Sequence, residues 1–164
     1  WLNGQYMIAT DENILASLVM PFLVQEGIVS EGQTLDMSWL AAAVRTLRER
    51  CKTLVELAQS LRYYILDHVD IDPKAREKFL KPDQVRLLSE LTGPIAGLAE
   101  FTADELGKIF QSFTEERGLK LGAVAQPMRV AITGGTASPG IFEVMEIVGK
   151  EKVLKRLARV TEEK

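Results

Sequence analysis

The sequence is poor in the residues that build most small catalytic or cross-linked sites. It has one cysteine, Cys51, and one histidine, His68, among 164 residues. A lone cysteine excludes an intramolecular disulfide and fits a reducing compartment, so the cytoplasm is the expected location. One His and one Cys cannot assemble a His/Cys zinc site. No run approaches eighteen consecutive apolar residues, and no transmembrane helix is expected. The opening W-L-N-G-Q-Y-M lacks the basic and apolar regions of a signal peptide. It also lacks an initiator Met, so Trp1 is expected to begin in mid-protein. No repeat or low-complexity tract is visible. Gly134-Gly135 lacks the G-x-x-x-x-G-K-[ST] spacing of a nucleotide loop.

One further absence is local. Between Arg117 and Phe142 there is no Asp or Glu, a run of 26 residues. An even spread of the 23 acids would place about 3.6 of them there. The charges left in the run, Arg117, Lys120 and Arg129, are all positive. Glycine and proline punctuate its second half, and Ser138-Pro139-Gly140 reads as the start of a helix. The unpaired N–H groups and positive dipole end of a helix N-terminus suit an anionic or acceptor-rich ligand. Such a surface can meet a nucleic acid. The net charge of −3 counts the other way, because a nucleic-acid-binding domain is usually basic overall. Any such binding has to come from local patches.

Hydrophobic residues make up 46% of the chain and charged residues 26%, an ordinary globular balance with enough length for a real core. The apolar period is helical almost throughout. Leu15, Leu18, Val19 and Phe22 form one stripe, in a helix that Pro21 should kink or shorten. Leu40, Ala43, Val44 and Leu47 form a second, with Ser38 as its expected N-cap. Leu54, Leu57, Ala58, Leu61 and Ile65 make a third. Thr102 and Glu105 make a capping box before Leu106, Ile109, Phe110 and Phe113, and Gly118 stops that helix. Val153, Leu154 and Leu157 carry the last stripe. Met128 to Thr133 is the one strand-like run, but a lone strand has no partner, so helix is expected there too. Asp72 precedes Pro73 and can cap the helix that Pro73 begins. The expectation is an all-α, two-part helical bundle, with sub-domains at 1–72 and 73–164.

The run K-L-G-A-V-A-Q-P-M-R-V-A-I-T-G from Lys120 to Gly134 matches K-L-G-x-V-x-Q-P-x-R-x-A-x-T-G. Ser138-Pro139-Gly140-Ile141-Phe142 matches an S/T-P-G-hydrophobic-F turn, and Trp1 to Tyr6 reads W-L-N-x-x-Y. Taken together these stretches resemble the C-terminal part of bacterial-type glutamyl-tRNA synthetases. The resemblance implies an α-helical cage that binds the anticodon loop of glutamate tRNA, in a parent enzyme that joins L-glutamate to that tRNA with ATP and Mg2+. The class I catalytic signatures, of the H-I-G-H and K-M-S-K-S types, do not occur in these residues. The fragment is therefore expected to be inactive alone, with no catalytic residue, no cofactor, no membrane contact and a monomeric state.

The same resemblance implies which side chains face RNA. Arg129 looks like the family arginine that contacts the anticodon, and its five donors suit base edges and phosphate. Ser138, Pro139, Gly140 and Ile141 would present a turn to a base: Gly140 through close backbone approach, Ile141 by packing on a base face. Ser138 and Pro139 are also read as N-cap and first residue of a helix. Arg50 occupies the position at which glutamate-restricted members carry arginine, while members that also charge glutamine tRNA carry residues such as glutamine. The two tRNAs differ at the third anticodon base, C against G. Cytosine offers acceptors on its pairing edge and guanine offers N–H donors, so an arginine donates to the first and sets donors against donors with the second.

Other features take plainer readings. Trp39, Phe79, Phe101, Phe110 and Phe113 are expected in the core, and one of Tyr63 and Tyr64 packs inward. His68 is solvated, Cys51 is a buried filler, and Arg45 and Arg48 are a solvated basic helix end. Lys150, Lys152, Lys155 and Arg156 are read as an ordinary exposed face. Two alternatives stay open: a helical protein-interaction module without RNA function, and a synthetase paralogue with relaxed or glutamine-tRNA specificity.

Overall fold

The computed structural model describes residues 4–162, and among these every regular element is a helix. The order is α1 (Gly4–Ala9), α2 (Glu12–Gln25), α3 (Met37–Leu47), α4 (Leu54–Ser60), α5 (Arg62–Ile65), α6 (Pro73–Phe79), α7 (Pro82–Ala96), α8 (Ala103–Glu116), α9 (Gly122–Thr133), α10 (Ile141–Val148) and α11 (Lys150–Glu162). The M-R-V-A-I-T run lies in α9 and is helical, as expected. Trp1, Leu2 and Asn3 of the W-L-N-x-x-Y stretch fall outside the described residues.

The chain divides into two compact units, Trp1–Leu66 and Asp67–Lys164. The division lies ahead of the Asp72-Pro73 step at which the sequence suggests one. The reason is local: the Asp72 N–H donates to the Gly134 carbonyl at 2.9 Å, which ties the segment before Pro73 to the end of α9.

In the first unit α2 packs against both α3 and α4. Leu15, Val19, Leu23, Leu40, Val44, Leu57, Leu61 and Tyr64 are fully buried there, and each such aliphatic side chain contributes about 1.5–3 kcal/mol by leaving water. The buried stripe of α2 is Leu15, Ala16, Val19 and Leu23, so Leu18 and Phe22 are displaced from their expected places. The helix also runs straight through Pro21, which is exposed, and continues to Gln25. Water can take the carbonyl bond that an exposed proline cannot make. Helix α3 starts one turn's fraction earlier than expected, because the Asp36 carboxylate, not the Ser38 hydroxyl, accepts the Trp39 N–H at 3.0 Å. Trp39 itself is half-buried.

The second unit centres on α7, α9 and α11, with α6 against α9 and α10 against α8. Its core holds Leu88, Leu91, Ile95, Leu106, Phe110, Val124, Met128, Val144, Val153 and Leu157, all fully buried. The Thr102 hydroxyl caps α8 by accepting the Glu105 N–H, and Gly118 follows that helix at φ +62°, a left-handed turn that glycine takes without strain. Asp72 caps α6 through the Ala75 N–H at 2.8 Å, as its place before Pro73 implies.

Candidate nucleic-acid interface

Arg50 follows α3 in the short turn that leads to α4. Its N–H donates to the Leu47 carbonyl at 2.8 Å, and the next turn is fixed by the Lys52 N–H on the Glu56 carboxylate at 2.7 Å. The Thr53 hydroxyl then caps α4. Arg50 is exposed, and its guanidinium makes no hydrogen bond or ion pair among the described residues. Its donors therefore face solvent from a backbone held at both ends. Arg48, two residues earlier, is different from the solvated residue expected: its Nη1 donates to the Glu12 carboxylate at 3.2 Å and to the Thr10 carbonyl at 3.3 Å. That arginine ties the start of α2 to the end of α3 and is not available to a ligand.

Beside this turn lie two titratable groups, the buried Cys51 thiol and the buried hydroxyl of half-buried Tyr63. Cys51 is 5% exposed, and its Sγ donates to the Ser60 hydroxyl at 3.6 Å. Burial pushes its thiol up, opposed by the Ser60 bond, so it stays protonated and inert at neutral pH. Burial, and then the neighbouring Tyr64, push the Tyr63 phenol well above its ordinary value. Tyr64 is fully buried and shares a hydrogen bond with the Thr46 hydroxyl at 2.8 Å. The tyrosine pair is thus committed to the fold, its rings 4.7 Å apart, and is not a stacking platform for bases.

In the second unit, α9 carries Gln126 and Arg129 one turn apart, and the loop from Gly134 to Gly140 folds back along them. The Arg129 Nε donates to the Ser138 hydroxyl at 2.8 Å, and its Nη1 donates to the Gln126 side-chain carbonyl. The Gln126 amide in turn donates to the Thr136 carbonyl at 2.9 Å. Arg129 is half-buried with its fork already oriented, so little rotamer entropy remains to be lost on binding. The loop and the arginine form one unit.

The structure corrects three expectations here. Ser138 is not the N-cap, and Pro139 is not the first helical residue. The cap is Gly140, in extended backbone at ψ 127°, and it offers no side-chain acceptor. Ser138 is occupied elsewhere, accepting from Arg129 and donating to the Pro139 carbonyl at 2.8 Å. Ile141 is 4% exposed and faces the core, and Pro139 is also buried, so neither can lie against a base. What remains on the surface is exposed Gly140, at the N-terminus of a helix without a side-chain cap, beside half-buried Ser138 and Arg129.

The acid-free stretch is also not free of acids in space. Arg117 donates to the Glu90 carboxylate at 3.0 Å, and its guanidinium carbon lies 3.7 Å from the centre of the Phe113 ring. Lys120 is exposed.

The face read as ordinary on α11 holds a residue that sequence reasoning missed. Arg156 is 2% exposed, and its Nη1 donates to the Ile132 carbonyl at 2.7 Å, near the C-terminus of α9, where a cation is favoured. Burial pushes its guanidinium down to about 10, so it remains charged at neutral pH. The signal was present in the sequence: Val153, Arg156, Leu157 and Val160 follow i, i+3, i+4, i+7 spacing, which puts Arg156 on the apolar stripe. Lys150 donates to the Leu98 carbonyl at 2.8 Å and Lys155 to Glu151 at 2.8 Å, as structural and surface contacts respectively. Among the described residues no cluster of three or more His, Cys, Asp or Glu could hold a metal ion, and no helix is long and apolar enough to cross a membrane.

Comparison with known proteins identifies the family. Residues 14–161 match the family model described as an anticodon binding domain. A glutamate–tRNA ligase from Thermodesulfovibrio yellowstonii is 54% identical over 160 residues, covering 98% of this chain and 34% of that protein. One from Syntrophobacter fumaroxidans is 42% identical over 157 residues, covering 96% of this chain and 33% of that protein. The chain thus spans about a third of the length of the curated relatives it matches. In fold it is similar to the crystal structure of a glutamate tRNA ligase from Elizabethkingia meningosepticum, with a TM-score of 0.85 at 22% identity, covering 98% of this chain and 31% of that one. On the match from residue 14 to residue 161, the chain belongs to the anticodon binding domain family.

Proposed function

We propose that this chain is the anticodon-reading part of a glutamate–tRNA ligase, and that its ligand is the anticodon loop of glutamate tRNA. The observation that carries the proposal is Arg129, whose guanidinium is fixed by Gln126 and Ser138 beside the exposed Gly140 turn. A preset fork of donors next to open backbone suits the splayed, acceptor-rich bases of a single-stranded loop. Arg50 supplies the second element. It is exposed, unengaged among the described residues, and carries donors only. Facing the third anticodon base, it favours the acceptors of cytosine over the donors of guanine, by on the order of 1–3 kcal/mol for a mismatched polar contact. The parent enzyme would activate glutamate with ATP and Mg2+ in its remaining two thirds, and no residue of this chain is assigned to that chemistry.

Salt dependence tests the proposal. A labelled RNA hairpin carrying the glutamate anticodon should bind the chain at low salt, and log K should fall linearly as log salt rises, because phosphate contacts release counterions. Binding of a protein partner through apolar helix faces would show little such dependence. No hairpin binding at low salt would contradict the proposal.

A further inference from the structure

We propose that the pocket walled by Arg76, Arg156 and Arg159 takes a phosphate group, supplied by the backbone of the RNA whose bases the neighbouring loop reads. The inference rests on the anticodon-binding reading for the source of the phosphate, but not for the site itself.

The pocket encloses about 200 Å³ within the second unit, between α6, α9 and α11. Three guanidiniums line it, with Asp70 as the acidic residue on its wall. Arg156 and Arg159 are three apart on α11, so both reach the same wall; burial works against the charged form of Arg156, and Asp67 favours it. Arg76, from α6, adds a third guanidinium to the same wall, in a chain where acids outnumber bases 23 to 20. An anion in the pocket meets donor groups from all three. Arg156 explains itself in part as a cap for the end of α9, but that role needs neither Arg76 nor Arg159. Those two are exposed, so their planar forks can close on a phosphate from the solvent side while Arg156 forms the fixed floor. Drug-sized ligands occupy roughly 300–1,000 Å³, so this cavity suits one small anion and not a stacked base.

Its position connects it to the proposed RNA site. Asp70, on the pocket wall, has its carbonyl against Gly134, and the Asp72 N–H holds the Gly134 carbonyl at 2.9 Å. Gly134 opens the loop that carries Ser138 and Gly140. The pocket and the loop therefore share one stretch of backbone, and an RNA strand crossing the loop passes a ready phosphate seat.

The test uses the whole chain with Arg76→Gln and Arg159→Gln, both at exposed positions, so that folding is preserved and can be checked by circular dichroism. In one arm each variant is titrated with the anticodon hairpin over a range of salt. Affinity should fall several-fold whatever the anticodon sequence, and the slope of log K against log salt should flatten by about one. In the other arm inorganic phosphate is added to the 15N-labelled chain at constant ionic strength, and arginine Nε–H signals are followed. Saturating shifts in the wild type that vanish in Arg159→Gln assign the pocket to phosphate, free or esterified. Unchanged affinity and slope in both variants, with a wild type that does bind the hairpin, overturn the RNA-backbone source while leaving the anticodon reading intact. If the wild type binds no hairpin, the anticodon reading falls and the phosphate arm alone decides: no arginine shift overturns the site.

Discussion

A Cβ placed on Gly134 would lie 2.2 Å from the carbonyl oxygen of Asp70. The obstacle is backbone, held by the Asp72 N–H on Gly134's own carbonyl, so it cannot swing away. Gly134 also sits at φ +82°, where an L side chain is strained. Gly134→Ala should therefore destabilise the chain by about 3 kcal/mol or more, left-handed strain and overpacking adding together. Gly135→Ala, one residue on, meets nothing within 4 Å and should be nearly neutral. Urea unfolding followed by far-ultraviolet circular dichroism compares the two.

Ile141 separates fold from recognition. Since it is 4% exposed, Ile141→Ala should cost about 2–4 kcal/mol of stability through the cavity it leaves. If Ile141 instead packed on a base, the substitution would weaken RNA binding and leave thermal unfolding unchanged.

Gln126 and Ser138 set the direction of Arg129. Removing one hydroxyl in Ser138→Ala frees the Nε side of the fork, and Gln126→Leu frees the Nη1 side and the loop carbonyl of Thr136 together. Each should weaken hairpin binding by about 2- to 30-fold, the worth of 0.5–2 kcal/mol of lost orientation, with the larger effect for Gln126→Leu. Isothermal titration against the hairpin measures this, and unchanged affinity in both would show that Arg129 does not need its clamp.

Buried Cys51 and half-buried Tyr63, whose hydroxyl is itself buried, predict alkaline sensitivity. Both groups ionise later in the folded chain than in the unfolded one, whose thiol and phenol keep ordinary values near 9.0 and 10.0. Above pH 9 the unfolded state therefore binds fewer protons than the native state, and stability falls as pH rises. Each group contributes at most about 1.4 kcal/mol per pH unit. Chemical denaturation between pH 7 and pH 10.5 should show that decline, and Cys51→Ala with Tyr63→Phe should flatten it.

The helices were legible because their apolar spacing and caps agree: Thr102, Asp72 and Gly118 act where local chemistry places them. Boundaries slipped where two residues could serve one role. Asp36 and Ser38 are both good caps, and the sequence carries no sign of which one the chain selects. At the loop, Ser138-Pro139 looks like a helix start until Arg129 claims the serine hydroxyl, an interaction between residues nine apart that no local rule supplies. Arg48 and Arg156 were missed for a related reason. A charge is read as solvated by default, and its ion pair or helix-end carbonyl is visible only when the elements are packed. The motif from Lys120 to Gly134 drew attention to Arg129, which the fold holds half-buried against Gln126 and Ser138, while burial removed Pro139 and Ile141 from the surface they were expected to form.

The most direct test compares two hairpins that differ only at the third anticodon base, C against G, binding to the wild type and to Arg50→Gln. The account predicts that the wild type prefers the C hairpin by about 5- to 150-fold, equivalent to 1–3 kcal/mol, and that Arg50→Gln loses most of this preference while keeping the salt dependence. Equal preference for the C hairpin in wild type and variant would contradict it.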